Sequence, residues 1–289
     1  MVRPELPPES ISRYTPTFQF PKTLIQPLIR PLVKLQDAGK LPAVPLRQHI
    51  VICGFPRSGT TLFQLMIESC VAGIKTFGRE RRALEFAKYG RRTHASVMTK
   101  RPKDIFLIQE LRDFYASHPA EVQFIVMHRD PRAILTSVHF SRPSEYFVTT
   151  HQWRHICRHW KWASHADDVL SIRYEDVVCE PDCVESRFVK LTGRQVNLPF
   201  RDFHSNVPIG FDVRALNGLR ELDESNVLRW RDSRYRDRIR LLLDELPELP
   251  DVLIEMGYET DDSWTREYVD SHQPISAAAL RTTMPRMRP

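Results

Sequence analysis

The sequence predicts an α/β fold with a central parallel sheet covered by helices on both faces. Three observations carry that prediction. Short, continuous apolar runs recur along the middle of the chain, as buried parallel strands require. Each is followed by a stretch with helical period. Between the first run and its helix lies a loop framed by Gly54 and Gly59.

The elements follow in order. "IVIC" (50–53) is the first strand, and "TTLFQLMIESCV" continues as a helix where the glycine loop ends. "SVMTK" (96–100) is the second strand, with "DIFLIQELRDFYASH" as its helix. "QFIVMHR" (123–129) is the third, and Pro131 falls near the first turn of the next helix, which carries Ser137. "VLSIRYED" (169–176) is the fourth strand, and "PDCVESRFVKLTG" ends at Gly193 as a helix stop. Residues 226–243 and 247–257 read as helical. A single domain over 47–260 is expected, with an irregular arm over 1–46 and a loosely ordered tail over 261–289. Within the arm, "TLIQPLIRPLVKLQ" reads as a short helix. Two prolines and two cations interrupt it, and it falls short of the roughly 20 apolar residues of a membrane span.

The chain has 289 residues, 42% hydrophobic and 27% charged, an ordinary globular balance for one large core. Its net charge of +6 favours an anionic partner. Of five cysteines, Cys179 and Cys183 are separated by three residues, with neither a second pair nor a histidine to complete a metal site. Reduced thiols suit a cytoplasmic protein, and "MVRPELPPES" is not followed by the apolar core of a signal peptide.

The loop "GFPRSGTT" has the Gly54-to-Gly59 interval of a phosphate-binding P-loop between strand and helix, hence a P-loop-type three-layer fold. Its backbone N–H groups and the helix N-terminus would cradle phosphate oxygens. Thr60 stands where the P-loop lysine is expected, and the nearest cation is Arg57, inside the loop. Sites that use ATP hold Mg²⁺ partly through an acid at a neighbouring strand end. Here Arg129 takes that place in "FIVMHRDPR", facing the crevice where open α/β sheets bind ligands. It suits a second phosphate, with the hydroxyl of Ser137 eight residues on.

These segments resemble a known family. "PRSGTT" (56–61) is similar to the 5′-phosphosulfate loop of sulfotransferases that use 3′-phosphoadenosine-5′-phosphosulfate (PAPS), and "RDPRAILTS" (129–137) to their 3′-phosphate motif. "TKRP" (99–102), "IRYEDVVCEP" (172–181) and "LRWR" (228–231) resemble segments of bacterial and carbohydrate-type members. The resemblance covers about residues 50–260. It implies transfer of a sulfuryl group from PAPS to an acceptor hydroxyl of a sugar, glycolipid or secondary metabolite, without a metal. Arg57, Ser58, Gly59, Thr60 and Thr61 would bind the 5′-phosphosulfate, and Arg129 and Ser137 the 3′-phosphate. Lys100 would stabilise the bridging oxygen, and Arg57, an arginine where many relatives have lysine, could assist departure as well as binding.

The general base is open among three residues. Aryl and steroid members place a histidine after a Lys-Thr pair, whereas here Arg101 and Pro102 follow Thr99-Lys100. Carbohydrate-type members use a glutamate after the P-loop helix, which points to Glu80, with Glu85 and His94 as the other candidates. Arg229 beside Trp230 could clamp adenine or its 3′-phosphate, and Tyr174 could pack at the strand end or touch nucleotide. Ten Lys/Arg against two Glu between Lys75 and Lys103 leave room for an anionic acceptor as well as a solvated basic face. The alternatives are a small-molecule P-loop kinase using ATP and Mg²⁺, disfavoured by Thr60 and Arg129, and a nucleic-acid-binding module, for which no recognition motif is present.

Overall fold

The computed structural model describes residues 22–139, 142–206, 208 and 221–269. Helix α1 (Lys22–Asp37) precedes β1 (Gln48–Gly54), α2 (Thr60–Cys70), α3 (Ala83–Tyr89) and β2 (Ser96–Lys100). A 3₁₀ turn, Pro102–Leu107, leads into α4 (Ile108–Tyr115), β3 (Glu121–His128) and α5 (Pro131–Leu135). The short strands β4 (Val138–His139) and β5 (Arg142–Tyr146) pair antiparallel. Helix α6 (Thr150–Ala163) leads to β6 (Val169–Arg173), α7 (Tyr174–Cys179) and α8 (Pro181–Thr192). After several 3₁₀ turns come α9 (Arg236–Glu245), α10 (Leu249–Glu255) and α11 (Arg266–Val269).

The chain divides into two compact units. The first holds the described residues up to His128 and those from His155 to Asp223; the second holds those from Arg129 to Arg154 and from Glu224 onward.

The first unit is built on a parallel sheet of order β2-β1-β3-β6. Every residue of β1 is buried, so both alternating sets of side chains are covered. Ile50 and Ile52 join Met98, Ile125, Met127 and Ile172 in a core closed by Phe63 of α2, Phe188 of α8, Phe200 and Phe203. On the opposite face His49 meets Phe86 of α3 and Tyr115 of α4, and the Arg112 guanidinium lies over Phe124. The chain leaves β1 toward β2 and returns to β3 on the other side. The carboxyl ends of β1 and β3 are therefore the reversal point where such sheets take ligands.

All four expected strands form, with three adjustments. The chain turns helical at Tyr174, where Glu175 and Asp176 occupy the first turn of α7 and Asp176 pairs with Arg173. The helix expected from Asp104 begins as a 3₁₀ turn and ends at Tyr115. The helix expected over 226–243 is broken until Arg236; Asp232 accepts from Arg234 N–H and restarts the chain there. In the arm, residues 22–37 form α1, the short helix expected there; residues 1–21, and 270–289 of the tail, lie outside the described residues.

A buried polar cluster fastens α1 to the sheet's helical layer. Asp37 forms a two-pronged pair with Arg92 and accepts from Leu46 N–H and His118 Nε2. Arg92 uses its remaining donors on Phe86, Gly90 and Ala87 carbonyls at the end of α3. Burial raises the Asp37 pKa, but hydrogen bonds from His118 and Arg92 together outweigh it and hold the carboxyl down to about 2. Removing it strands a buried guanidinium. Asp37→Ala should cost about 3–5 kcal/mol of unfolding free energy and Asp37→Asn less, measured by denaturant titration.

Burial also pushes His49 and His128 down to about 3. Both are neutral when folded and take up protons on unfolding, so their contribution to stability falls as pH falls from about 6.5 toward 3. Buried Asp104, raised to about 7, has the opposite sign between about 3.8 and 7. Two groups outweigh one, so Tm should fall between pH 6.5 and 4. A level or rising Tm would refute the balance in which the two histidines outweigh Asp104.

Candidate active site

The glycine loop follows β1 in the register that ties it to β3. Phe55 N–H donates to Met127 O at 2.9 Å, and Ser58 Oγ lies 2.6 Å from Phe55 O and 3.1 Å from Met127 O. The Ser58 side chain is fully buried, so its hydroxyl braces the loop from inside, and its N–H also lies 3.4 Å from Phe55 O. Gly54 has φ 125° and Gly59 φ 83°, and between them Arg57 holds φ 68°, a conformation of about 1–3 kcal/mol strain for a residue with a Cβ. Backbone that alternates handedness turns successive N–H groups toward one side, the geometry of an anion nest. Helix α2 then starts at Thr60 with Gly59 as a cap lacking any side-chain hydrogen bond. The loop thus presents main-chain donors, a helix N-terminus and the exposed Arg57 side chain together.

Three further expected residues converge on this loop. Lys100, at the end of β2, is only 8% exposed; its Nζ donates to Thr61 Oγ1 at 3.2 Å and lies 3.6 Å from Glu80 Oε1. Burial lowers the Lys100 pKa, and Glu80 partly offsets the shift. Glu80 is 54% exposed and sits on a segment held by the Arg81 N–H bond to Lys100 O, 3.2 Å. Tyr174, at the start of α7, lies against Gly59, where a Cβ would come within 2.6 Å of its ring. Glu85 lies in the first turn of α3, and exposed His94 pairs its Nδ1 with Thr93 Oγ1 at 2.9 Å.

Asp104 is a contributor that sequence reading left as an ordinary helix start. Its Oδ2 accepts Ala83 N–H at 2.8 Å and its Oδ1 lies 3.5 Å from Arg101. This fully buried carboxyl anchors the segment bearing Glu80 to the turn after Lys100. Its only sequence signal is an acid four residues beyond a strand-end lysine.

The second motif belongs to the second unit. Asp130 caps α5 by accepting Arg132 N–H at 2.8 Å and also pairs with the Arg132 side chain. Arg129 Nη2 donates to Asn226 O at 3.0 Å. Helix α5 ends at Leu135, so Ser137 lies just beyond it, its Oγ donating to Ala133 O at 2.8 Å. Arg229 is exposed at the start of a 3₁₀ turn. Trp230 is 3% exposed, and the Arg132 guanidinium lies 3.7 Å from its ring centroid. Arg132 also lies 4.5 Å from the Trp264 ring and pairs with Glu259, so Trp230 packs inside this unit against a neutralised guanidinium.

No protein-family model and no curated protein matches the sequence. Among solved structures, the chain is similar to a sulfotransferase domain from the Synechococcus PCC 7002 olefin synthase. The TM-score is 0.46 at 16% identity, over 67% of this chain and 90% of that one. It is also similar to a sulfotransferase domain from the curacin biosynthetic pathway, with a TM-score of 0.42 at 12% identity over 84% and 96% of the two chains. At these values the likeness bears on neither donor nor acceptor.

The loop geometry predicts an unequal response to two glycine substitutions. A Cβ on Gly54 would stand 2.1 Å from Met127 O, so Gly54→Ala should destabilise by about 2–5 kcal/mol. Gly193, also at positive φ but with nothing within 4 Å, should lose only about 1–2 kcal/mol on change to alanine. Equal losses in denaturant titrations would refute the close approach at Gly54.

Proposed function

We propose that this protein is a PAPS-dependent sulfotransferase acting on a hydroxyl of a sugar, glycolipid or secondary metabolite. The observation that carries the reading is the contact of Lys100 with both Thr61 of the phosphate loop and Glu80. A loop cation, a nearly buried lysine and an accessible carboxylate are three groups that suit in-line transfer from an anhydride to a hydroxyl.

The loop N–H groups and Arg57 hold the phosphosulfate of the donor. Glu80 accepts the proton of the acceptor hydroxyl as its oxygen forms the new S–O bond. The S–O bond to the donor's phosphate breaks, and Lys100 stabilises the charge left on that oxygen, giving 3′-phosphoadenosine 5′-phosphate and a sulfate ester. Low exposure strengthens the Lys100 contribution, because the charge it meets is poorly screened. Arg129 and Ser137 are assigned to the 3′-phosphate through their motif, and Tyr174 supports the loop through Gly59.

Thermal unfolding in the presence of 3′-phosphoadenosine 5′-phosphate tests the donor. A ligand at 100 times its Kd adds about 2.7 kcal/mol of stability. Stabilisation by ATP plus Mg²⁺ alone would instead indicate a kinase. Arg57→Gly removes the cation and relieves the positive φ, so it should weaken binding of that nucleotide while keeping or raising Tm. Arg129→Ala should weaken nucleotide binding too. Glu80→Gln should retain nucleotide binding and reduce turnover about 10²–10⁴-fold, and full activity in that variant would exclude Glu80 as the base.

A further inference from the structure

The segment joining α2 to α3 forms a strap along the outer edge of β2. Lys75 N–H donates to Ser96 O at 2.9 Å and its carbonyl accepts Met98 N–H at 2.8 Å, a parallel bridge beside Val97. The strap is held at Phe77, whose carbonyl accepts Gln64 Nε2 at 2.6 Å, and again where Arg81 N–H bonds to Lys100 O.

Strap, α3 and the segment after it enclose a cavity of about 250 Å³ lined by Lys75, Phe77, Arg81, Phe86, Arg91 and Thr93, with Val97 at its base. Phe77 and Phe86 form an apolar wall, ring centroids 5.6 Å apart. The charged lining residues, Lys75, Arg81 and Arg91, are all cationic, and no carboxylate lines the cavity. The Arg81 guanidinium lies 5.7 Å from the Phe77 ring centroid, and its buried Nε has no hydrogen-bond partner. Arg92, one residue beyond Arg91, is by contrast fully neutralised by Asp37.

A pocket that gathers three cations around two rings is shaped for an anion carried on a small ring. Arg81 also ties it to the chemistry: its side chain lines the cavity, its backbone is bonded to Lys100, and its neighbour is Glu80. Resting on the sulfotransferase reading, we infer that this cavity is the acceptor subsite and that the acceptor is a small hydroxylated ring already bearing a carboxylate, phosphate ester or sulfate ester. Lys75, Arg81 and Arg91 hold that anion, Phe77 and Phe86 hold the ring, and the hydroxyl is left toward Glu80.

The test is calorimetric titration of the full chain with 4-hydroxyphenylacetate, 4-hydroxyphenyl phosphate, 4-hydroxyphenyl sulfate and neutral 4-hydroxyphenylacetamide, with 3′-phosphoadenosine 5′-phosphate saturating. At least one anionic probe should bind about tenfold or more tightly than the amide, and the ranking of the three separates carboxylate from phosphate and sulfate ester. Lys75 and Arg91 are exposed, so Lys75→Gln/Arg91→Gln should fold normally. This double variant should erase the preference and leave nucleotide affinity unchanged. Equal binding of all probes, or a preference that survives in the variant, overturns the subsite while leaving the donor reading intact. Failure of the wild-type chain to bind the nucleotide overturns the donor reading and the acceptor role together.

Discussion

The carbonyl of Met127 is the point on which the phosphate loop turns. It accepts Phe55 N–H, receives Ser58 Oγ as a second contact, and sits where a Cβ on Gly54 would have to be. That close approach follows from the parallel register pairing Gly54 with Met127. Because the end of β1 is pressed onto β3, the chain must leave it through positive-φ positions. Gly59, the last of those positions, starts α2 without a side-chain cap. The left-handed turns of the loop are therefore a consequence of strand packing, and Arg57 bears strain as part of the same geometry.

Cations in the first unit fall into two populations. Arg92 is buried, bonded at every donor and neutralised by Asp37; it holds α1 and α3 together. Lys100 is nearly buried but only partly compensated by a half-exposed Glu80, and Lys75, Arg81 and Arg91 line an open cavity. Burying a charge is tolerated when it is fully paired, and a cluster left incompletely paired is where a ligand anion gains most. This difference in pairing, rather than the basic composition of residues 75–103, separates arginines neutralised inside the protein from those that line an open cavity.

Much of this was legible in the chain itself. The four strands were readable because each is an apolar run short enough for a buried parallel strand, and the loop because Gly54 and Gly59 keep a phosphate-binding interval between strand and helix. The meeting of Lys100 with Thr61 rests on the β1–β2 register, which no local pattern encodes. Trp230 shows the opposite case. A Trp flanked by arginines reads as a ligand clamp, yet the arginine that covers it is Arg132, almost a hundred residues earlier. Asp104 was invisible for the same reason, since its partner, Ala83 N–H, lies on another segment.

The sequence by itself determined the α/β alternation, the glycine-framed loop and the choice of arginine where a lysine is expected, because these depend on local periodicity, backbone freedom and residue chemistry. Only the tertiary structure decided which cations are neutralised, that the Ser58 hydroxyl faces inward, that Tyr174 backs the loop, and that the strap along β2 encloses a basic cavity. Those properties depend on distances between segments far apart in the chain, which are set by strand register and core packing.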